Sequence, residues 1–244
     1  MNDRRRVRTA LVILAAHNLV QNSFLNERGY VSGNLVVSGL LVGVGRAAGL
    51  RWDEMGLGPG DVRRGLRIGA QVSAAAAALA VFALGNTRTR AFFSDERATV
   101  ASGAAIWRRA LLRFPLGTAL FEEVAFRGVL PALMRQTHRP GPAEALSAAF
   151  FGLWHLIPTG RALSGNRLGL GMPTARRGVV IIGGSAVAAA SALALGWTRR
   201  ITGSILAAWL IHAGFNSLSY LAGVIAVSLP AAHRRVVADF PRAP

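Results

Sequence analysis

The chain has 244 residues, of which 52% are hydrophobic and 16% charged, and its formal net charge of +17 comes from 28 basic residues that are all arginine. It holds no cysteine, which excludes disulfides, thiolate metal sites and cysteine nucleophiles. Several apolar stretches approach the roughly 20 residues that cross a bilayer, and arginines such as Arg63, Arg64, Arg108, Arg109, Arg199 and Arg200 fall between them. That is how membrane loops carry positive charge, so an integral membrane protein is favoured over a nucleic-acid binder.

In chain order, MNDRRRVR precedes a first span of about Val7 to Phe24. It resembles a signal peptide in its charged and apolar parts, but His17, Asn18, Gln21 and Asn22 stand where a cleavage site would fall, so an uncleaved span is expected. His17 is read as packing or facing a headgroup. The second span covers about Val31 to Leu50, with Gly39, Gly43, Gly45 and Gly49 at the spacing that lets helices approach closely. Residues 51–66 form a polar loop with a Pro59–Gly60 turn. The third span is alanine-rich, about Ile68 to Leu84, and a polar stretch follows over 86–106, with Phe92 and Phe93 suited to an interface.

The fourth span runs from about Leu111 to Met134, started or kinked by Pro115 and bent by Pro131. The fifth, about Ala143 to Ile157, stops at Pro158, and 159–177 reads as a mobile loop. The sixth is about Val179 to Trp197, the seventh Ile201 to Ser217 and the eighth Leu218 to Leu229. The expected fold is all-α: one domain over 1–244, a polytopic bundle of about eight transmembrane spans around a polar cavity, with its motif core at about 110–220. The basic N-terminus predicts a cytoplasmic start, and an even count would return Arg234 and Arg235 to that side.

The fourth span carries FEEVAFRG, with Glu122, Glu123 and Arg127 among apolar neighbours. One charge at the centre of a membrane helix costs about 2.5–3.5 kcal/mol, and three would cost roughly 8–10 kcal/mol if isolated. Glu123 and Arg127 are at i and i+4 and share a face, in the better order for a glutamate–cation pair, so they are expected to form a structural pair. Glu122 is turned about 100° away on that helix and needs another partner. Among the few other polar groups inside spans are His155, in AFFGLWHL, and His212 with Asn216, in IHAGFN. Buried polar groups in lipid have no partners but each other, so the three helices are expected to meet at one site.

A glutamate there is a candidate general base. A histidine bound to the same water could position it. Donors fixed at a developing oxyanion are worth roughly 3–4 kcal/mol each, and a second histidine and an asparagine offer them. The set fits water attack on a carbonyl. Glu122, His155 and His212 could alternatively hold zinc with an open position, although HExxH is absent and asparagine is a poor ligand; water held by the protein alone is favoured.

In this order, EEVAFR (Glu122, Glu123, Arg127), FGLWH (Phe151 to His155) and HAGFN (His212 to Asn216) resemble the EExxxR, FxxxH and HxxxN motifs of the CPBP intramembrane endopeptidases, also called the type II CAAX prenyl endopeptidase or Abi family. The resemblance covers about 110–220. It implies a membrane protease with Glu122 as base, His155 as its water-positioning partner, and His212 with Asn216 as oxyanion stabilisers. Glu123 and Arg127 would hold the architecture. From their positions beside His155, Phe151 and Trp154 are read as candidate substrate-binding residues. The resemblance implies membrane lipids and a membrane-associated peptide or protein as partners, with no nucleic acid. It leaves open whether the mechanism is glutamate-based or metal-dependent. The arginine-, alanine- and glycine-rich composition suggests a bacterial cytoplasmic-membrane protein, for which a prenylated substrate is not expected. A proton-coupled transporter and a non-catalytic scaffold or bacteriocin-immunity protein are the alternatives.

Overall fold

The structure is a computed structural model, and it describes residues 3–58, 60–90, 93, 103–164, 169 and 171–229. Helix α1 is Asp3–Ser23, α2 is Glu27–Ala47 and α3 is Val62–Gly85. Helix α4 is a continuous rod whose coil changes width. It is α-helical over Gly103–Arg108, π-helical over Arg109–Ala119, α over Leu120–Glu123, π over Val124–Val129 and α over Leu130–Met134. Then come α5 (Pro140–Trp154), α6 (Leu156–Ser164), α7 (Thr174–Thr202) and α8 (Leu206–Ser228). No strand occurs among the described residues.

Four helices are long and apolar enough to cross a membrane by length and composition: Gly29–Ala47, Val62–Gly85, Thr174–Thr202 and Leu206–Ser228. Their outer faces are apolar and bare. Val36, Leu79, Phe82, Val179 and Val187 are exposed, whereas the buried set includes Asn34, Glu122, Glu123 and Arg127. Polar groups inside and hydrocarbon outside is the arrangement a bilayer demands.

The rod α4 is the axis of the bundle. Its two prolines explain its wide turns. A π-type coil bonds each N–H to the carbonyl five residues back, as Leu120 does to Pro115 and Leu130 to Ala125. Proline has no N–H, so in that register Pro115 leaves the carbonyl of Ala110 without its donor, and Pro131 leaves that of Phe126. Both gaps are filled from neighbouring helices. The Ser217 hydroxyl on α8 donates to Ala110 O at 2.7 Å, and the Ser147 hydroxyl on α5 donates to Phe126 O at 2.7 Å. The Trp209 indole on α8 also donates to Pro115 O at 2.8 Å. The helix therefore continues through both prolines, and neither ends it.

The chain runs back and forth between two ends. At the first end Arg6 and Gln136 both donate to Ala48 O, at 3.2 Å each. There too Asp61 N–H donates to Thr202 O and Ile205 N–H to Gly56 O. The start of α1 thus meets the ends of α2, α4 and α7 and the starts of α3 and α8. At the opposite end Arg108 and Arg109 clasp Glu27, with bonds of 2.9 and 2.7 Å.

Several expected features change. The seventh and eighth spans are one helix, α8, because nothing between Ser217 and Leu218 breaks the coil. The described part of α8 finishes at the end opposite the start of α1; Arg234, Arg235, Pro59 and Phe92 lie outside the described residues. The fifth helix breaks at His155 (φ −81°, ψ −6°), not at Pro158. Pro158 sits in the first turn of α6, where a missing N–H costs little. Of the span expected as a loop over 159–177, residues 159–164 and 174–177 are helical. On α2, Gly39 and Gly43 have open space beside them, while Gly49 (φ +81°) takes the left-handed turn that ends the helix.

Candidate active site

Glu122 and Glu123 sit on the short α stretch between the two π stretches of α4 and are 5% and 0% exposed. Arg127, one turn on, is also buried. Its Nε lies 3.3 Å from Glu123 Oε2, and its guanidinium carbon sits 4.1 Å from the centre of the Phe151 ring. The expected i, i+4 pair is present, and an aromatic face supports its cation.

Glu123 has a second partner. The His212 ring, brought in by α8, places Nδ1 2.8 Å from Glu123 Oε1 and Nε2 3.6 Å from Glu122 Oε2. A carboxylate only accepts, so the proton on Nδ1 points at Glu123, and the other nitrogen faces Glu122. His212 thus stands between the two adjacent glutamates. Glu122 Oε2 is buried and has no hydrogen bond. Its other oxygen is occupied: the Trp154 indole N–H, at the end of α5, donates to Glu122 Oε1 at 3.1 Å. Glu122 is therefore anchored by one oxygen and presents the other toward His212.

Trp154 is itself braced. Its carbonyl, at a helix end where no intrahelical donor remains, accepts from Asn18 Nδ2 at 3.0 Å. Its ring packs on Phe121, Phe126 and His17, with centroids 5.3, 5.7 and 6.4 Å apart. His17 is buried, bonded to Asn34 Oδ1 at 2.5 Å; it packs within the bundle and does not reach a headgroup. The contribution of α1 to the site was missed in the sequence. The signal was there in two polar pairs, His17–Gln21 and Asn18–Asn22, each one turn apart inside an apolar span.

His155 and Asn216 are half-buried. The His155 Nδ1–H donates to Phe151 O at 2.8 Å, and its ring lies 4.4 Å from that of Phe151. Among the described residues it makes no hydrogen bond to either glutamate; the histidine that reaches them is His212. Phe151 connects the two, since its ring also meets His212 at 6.3 Å. Asn216 lies one turn beyond His212 on α8. Phe151 and Trp154 are buried in the wall around the glutamates.

Among the described residues no group of three His, Cys, Asp or Glu side chains is arranged to hold an ion. His212 and His155 commit Nδ1–H to Glu123 and to a backbone carbonyl, which leaves Nε2 of each free. In this arrangement Glu122, His155 and His212 are not gathered around one point as three ligands.

A protein-family model described as Rce1-like, type II CAAX prenyl endopeptidase, matches residues 104–218. That range begins at the foot of α4, ends within α8, and contains every residue of the site except the α1 braces and Asn34. No curated protein and no solved structure matches the chain.

Proposed function

Residues 104–218 belong to the Rce1-like type II CAAX prenyl endopeptidases, and from that premise we propose that this multi-pass membrane protein is a single-domain intramembrane endopeptidase that hydrolyses a peptide bond by glutamate-activated water. The observation that carries the reading is the placement of His212 between Glu122 and Glu123.

The chemistry follows from which atoms are free. Glu123 holds the His212 proton on Nδ1, so Nε2 offers a lone pair toward Glu122 Oε2, which is also an acceptor. Two acceptors 3.6 Å apart suit a substrate water that donates one hydrogen to each. Glu122 takes a proton as the water oxygen attacks the scissile carbonyl carbon. The carbonyl π electrons move to the oxygen, and the Asn216 amide N–H stabilises that oxyanion. The tetrahedral species then collapses, the C–N bond breaks, and Glu122 returns its proton to the leaving amine. His155, with Nδ1–H committed to Phe151 O, presents Nε2 as an acceptor for the substrate's peptide N–H. Glu123 and Arg127 keep His212 in register.

The substrate is a membrane-associated peptide or protein. Cells carrying the wild-type chain or Glu122→Gln would be compared by mass spectrometry of their membrane peptides. The expected result is at least one peptide pair cut only by the wild type, with both forms inserted at equal levels. Identical peptide profiles, or cleavage by the Gln variant at the wild-type rate, would reject the reading.

A further inference from the structure

At the end of the bundle where α1 begins, α4, α5 and α7 enclose a half-open cavity of about 200 Å³. Its walls are partly apolar, from Phe126, Ala192 and Leu193, and Leu193 is exposed on the outer face of α7. Its polar lining is one-sided: Arg135, Arg199 and Arg200 at the mouth with Arg127 inside, against the single acid Glu144. Setting Arg127 against its partner Glu123, the lining side chains alone carry a net charge of +2, while Asp53 and Glu54 face Arg199 and Arg135 from the adjoining cleft.

The acid does not saturate these cations. Glu144 stands 3.8 Å from Arg135 Nη1 and 3.4 Å from Arg200 Nη1, with no hydrogen bond to either. Arg135 and Arg199 each give one Nη2 to the carbonyl of Glu54. The planar guanidinium fork matches phosphate, and the mouth arginines Arg135 and Arg200 make no hydrogen bond to the Glu144 carboxylate.

The geometry points to the phosphate of an anionic phospholipid as the occupant: we propose that its headgroup sits among Arg135, Arg199 and Arg200 and its chain lies along Leu193 on α7. Two features favour a lipid over free phosphate. The apolar wall continues from the arginines to the lipid-facing side of α7. The end in question also carries Arg4, Arg5 and Arg6, and clustered arginines beside a membrane surface attract anionic lipid. The proposal does not depend on the peptidase reading.

The test is native mass spectrometry of the full chain from nanodiscs of equal phosphatidylglycerol and phosphatidylcholine. The wild type should retain phosphatidylglycerol preferentially, and Arg200→Gln should lower that preference about fivefold. Arg200 is half exposed, so the variant should fold. Glu144→Gln, which removes the competing carboxylate, should raise the preference. Equal retention of both lipids by the wild type, or a preference untouched by both variants, would overturn the site and leave a solvated ion-pair network. Thermal protection of the delipidated protein by inorganic phosphate, with no lipid retained from the nanodiscs, would overturn the lipid assignment.

Discussion

The indole of Trp154 reaches from the end of α5 to donate to Glu122 Oε1 on α4 at 3.1 Å. That bond decides which oxygen of the glutamate is free. Trp154→Phe keeps most of the packing and removes the donor. A buried carboxylate oxygen left unpaired costs about 1–3 kcal/mol. Peptide cleavage should fall at least tenfold, and the melting temperature in detergent should drop. Asn18→Leu, which frees the Trp154 carbonyl, should show a weaker loss of the same kind; unchanged turnover in the tryptophan variant would count against the anchoring role.

Glu123 is tied to both Arg127 and His212. Glu123→Gln leaves the Arg127 charge buried without its counter-ion, and truncating one partner of a buried pair costs about 3–5 kcal/mol. The variant should be the least stable of the site variants and inactive. Glu122→Gln, which breaks no direct arginine ion pair, should lose activity while melting closer to wild type than Glu123→Gln. Thermal unfolding of the two proteins side by side separates these roles.

The Ser147 hydroxyl fills the carbonyl that Pro131 leaves open at Phe126. Ser147→Ala should cost about 1–3 kcal/mol, the desolvation penalty of an unmet buried acceptor. Adding Pro131→Ala restores a backbone donor to α4. The double variant should therefore regain part of the lost stability, and a simple sum of the two effects would refute the coupling.

Glu27 links α2 to α4 outside the spanning segment. Partial burial raises its carboxyl pKa, but hydrogen bonds from Arg109 and Arg108 and the charges of Arg109 and Arg113 outweigh that and hold it below its ordinary 4.5. A group depressed in the folded state stabilises above its unfolded pKa and loses that contribution as pH falls through the folded one. The melting temperature should thus decline below about pH 4.5, and the Glu27→Gln variant should decline less over the same acid window. Equal acid slopes would show that this clasp contributes nothing measurable.

Much of the site could be read in advance because charge inside hydrocarbon is so expensive. Glu122, Glu123, Arg127, His155 and His212 stood out for that reason alone, and the i, i+4 rule paired Glu123 with Arg127 correctly. The second partner of Glu123 could not be read that way. A helical wheel separates adjacent glutamates by about 100°, but an imidazole from another helix is wide enough to touch both. His155 was expected beside Glu122, whereas the residue before it, Trp154, makes the contact, because the coil breaks there and turns the histidine toward Phe151 O. Span counting failed at α8 because hydropathy reports composition and not where the backbone stops. The wide turns of α4 were invisible for a related reason: prolines foretold a kink, and only the hydroxyls of distant helices let the rod run on.

Those hydroxyls belong to segments made after α4. When the ribosome has just released this rod, Ala110 and Phe126 lack their donors and Glu123 lacks its imidazole, since Ser147, His212 and Ser217 are still to come. The partners of this helix are thus supplied by α5 and α8, which the ribosome makes after it, so an early-made rod has its polar groups matched only by later-made neighbours.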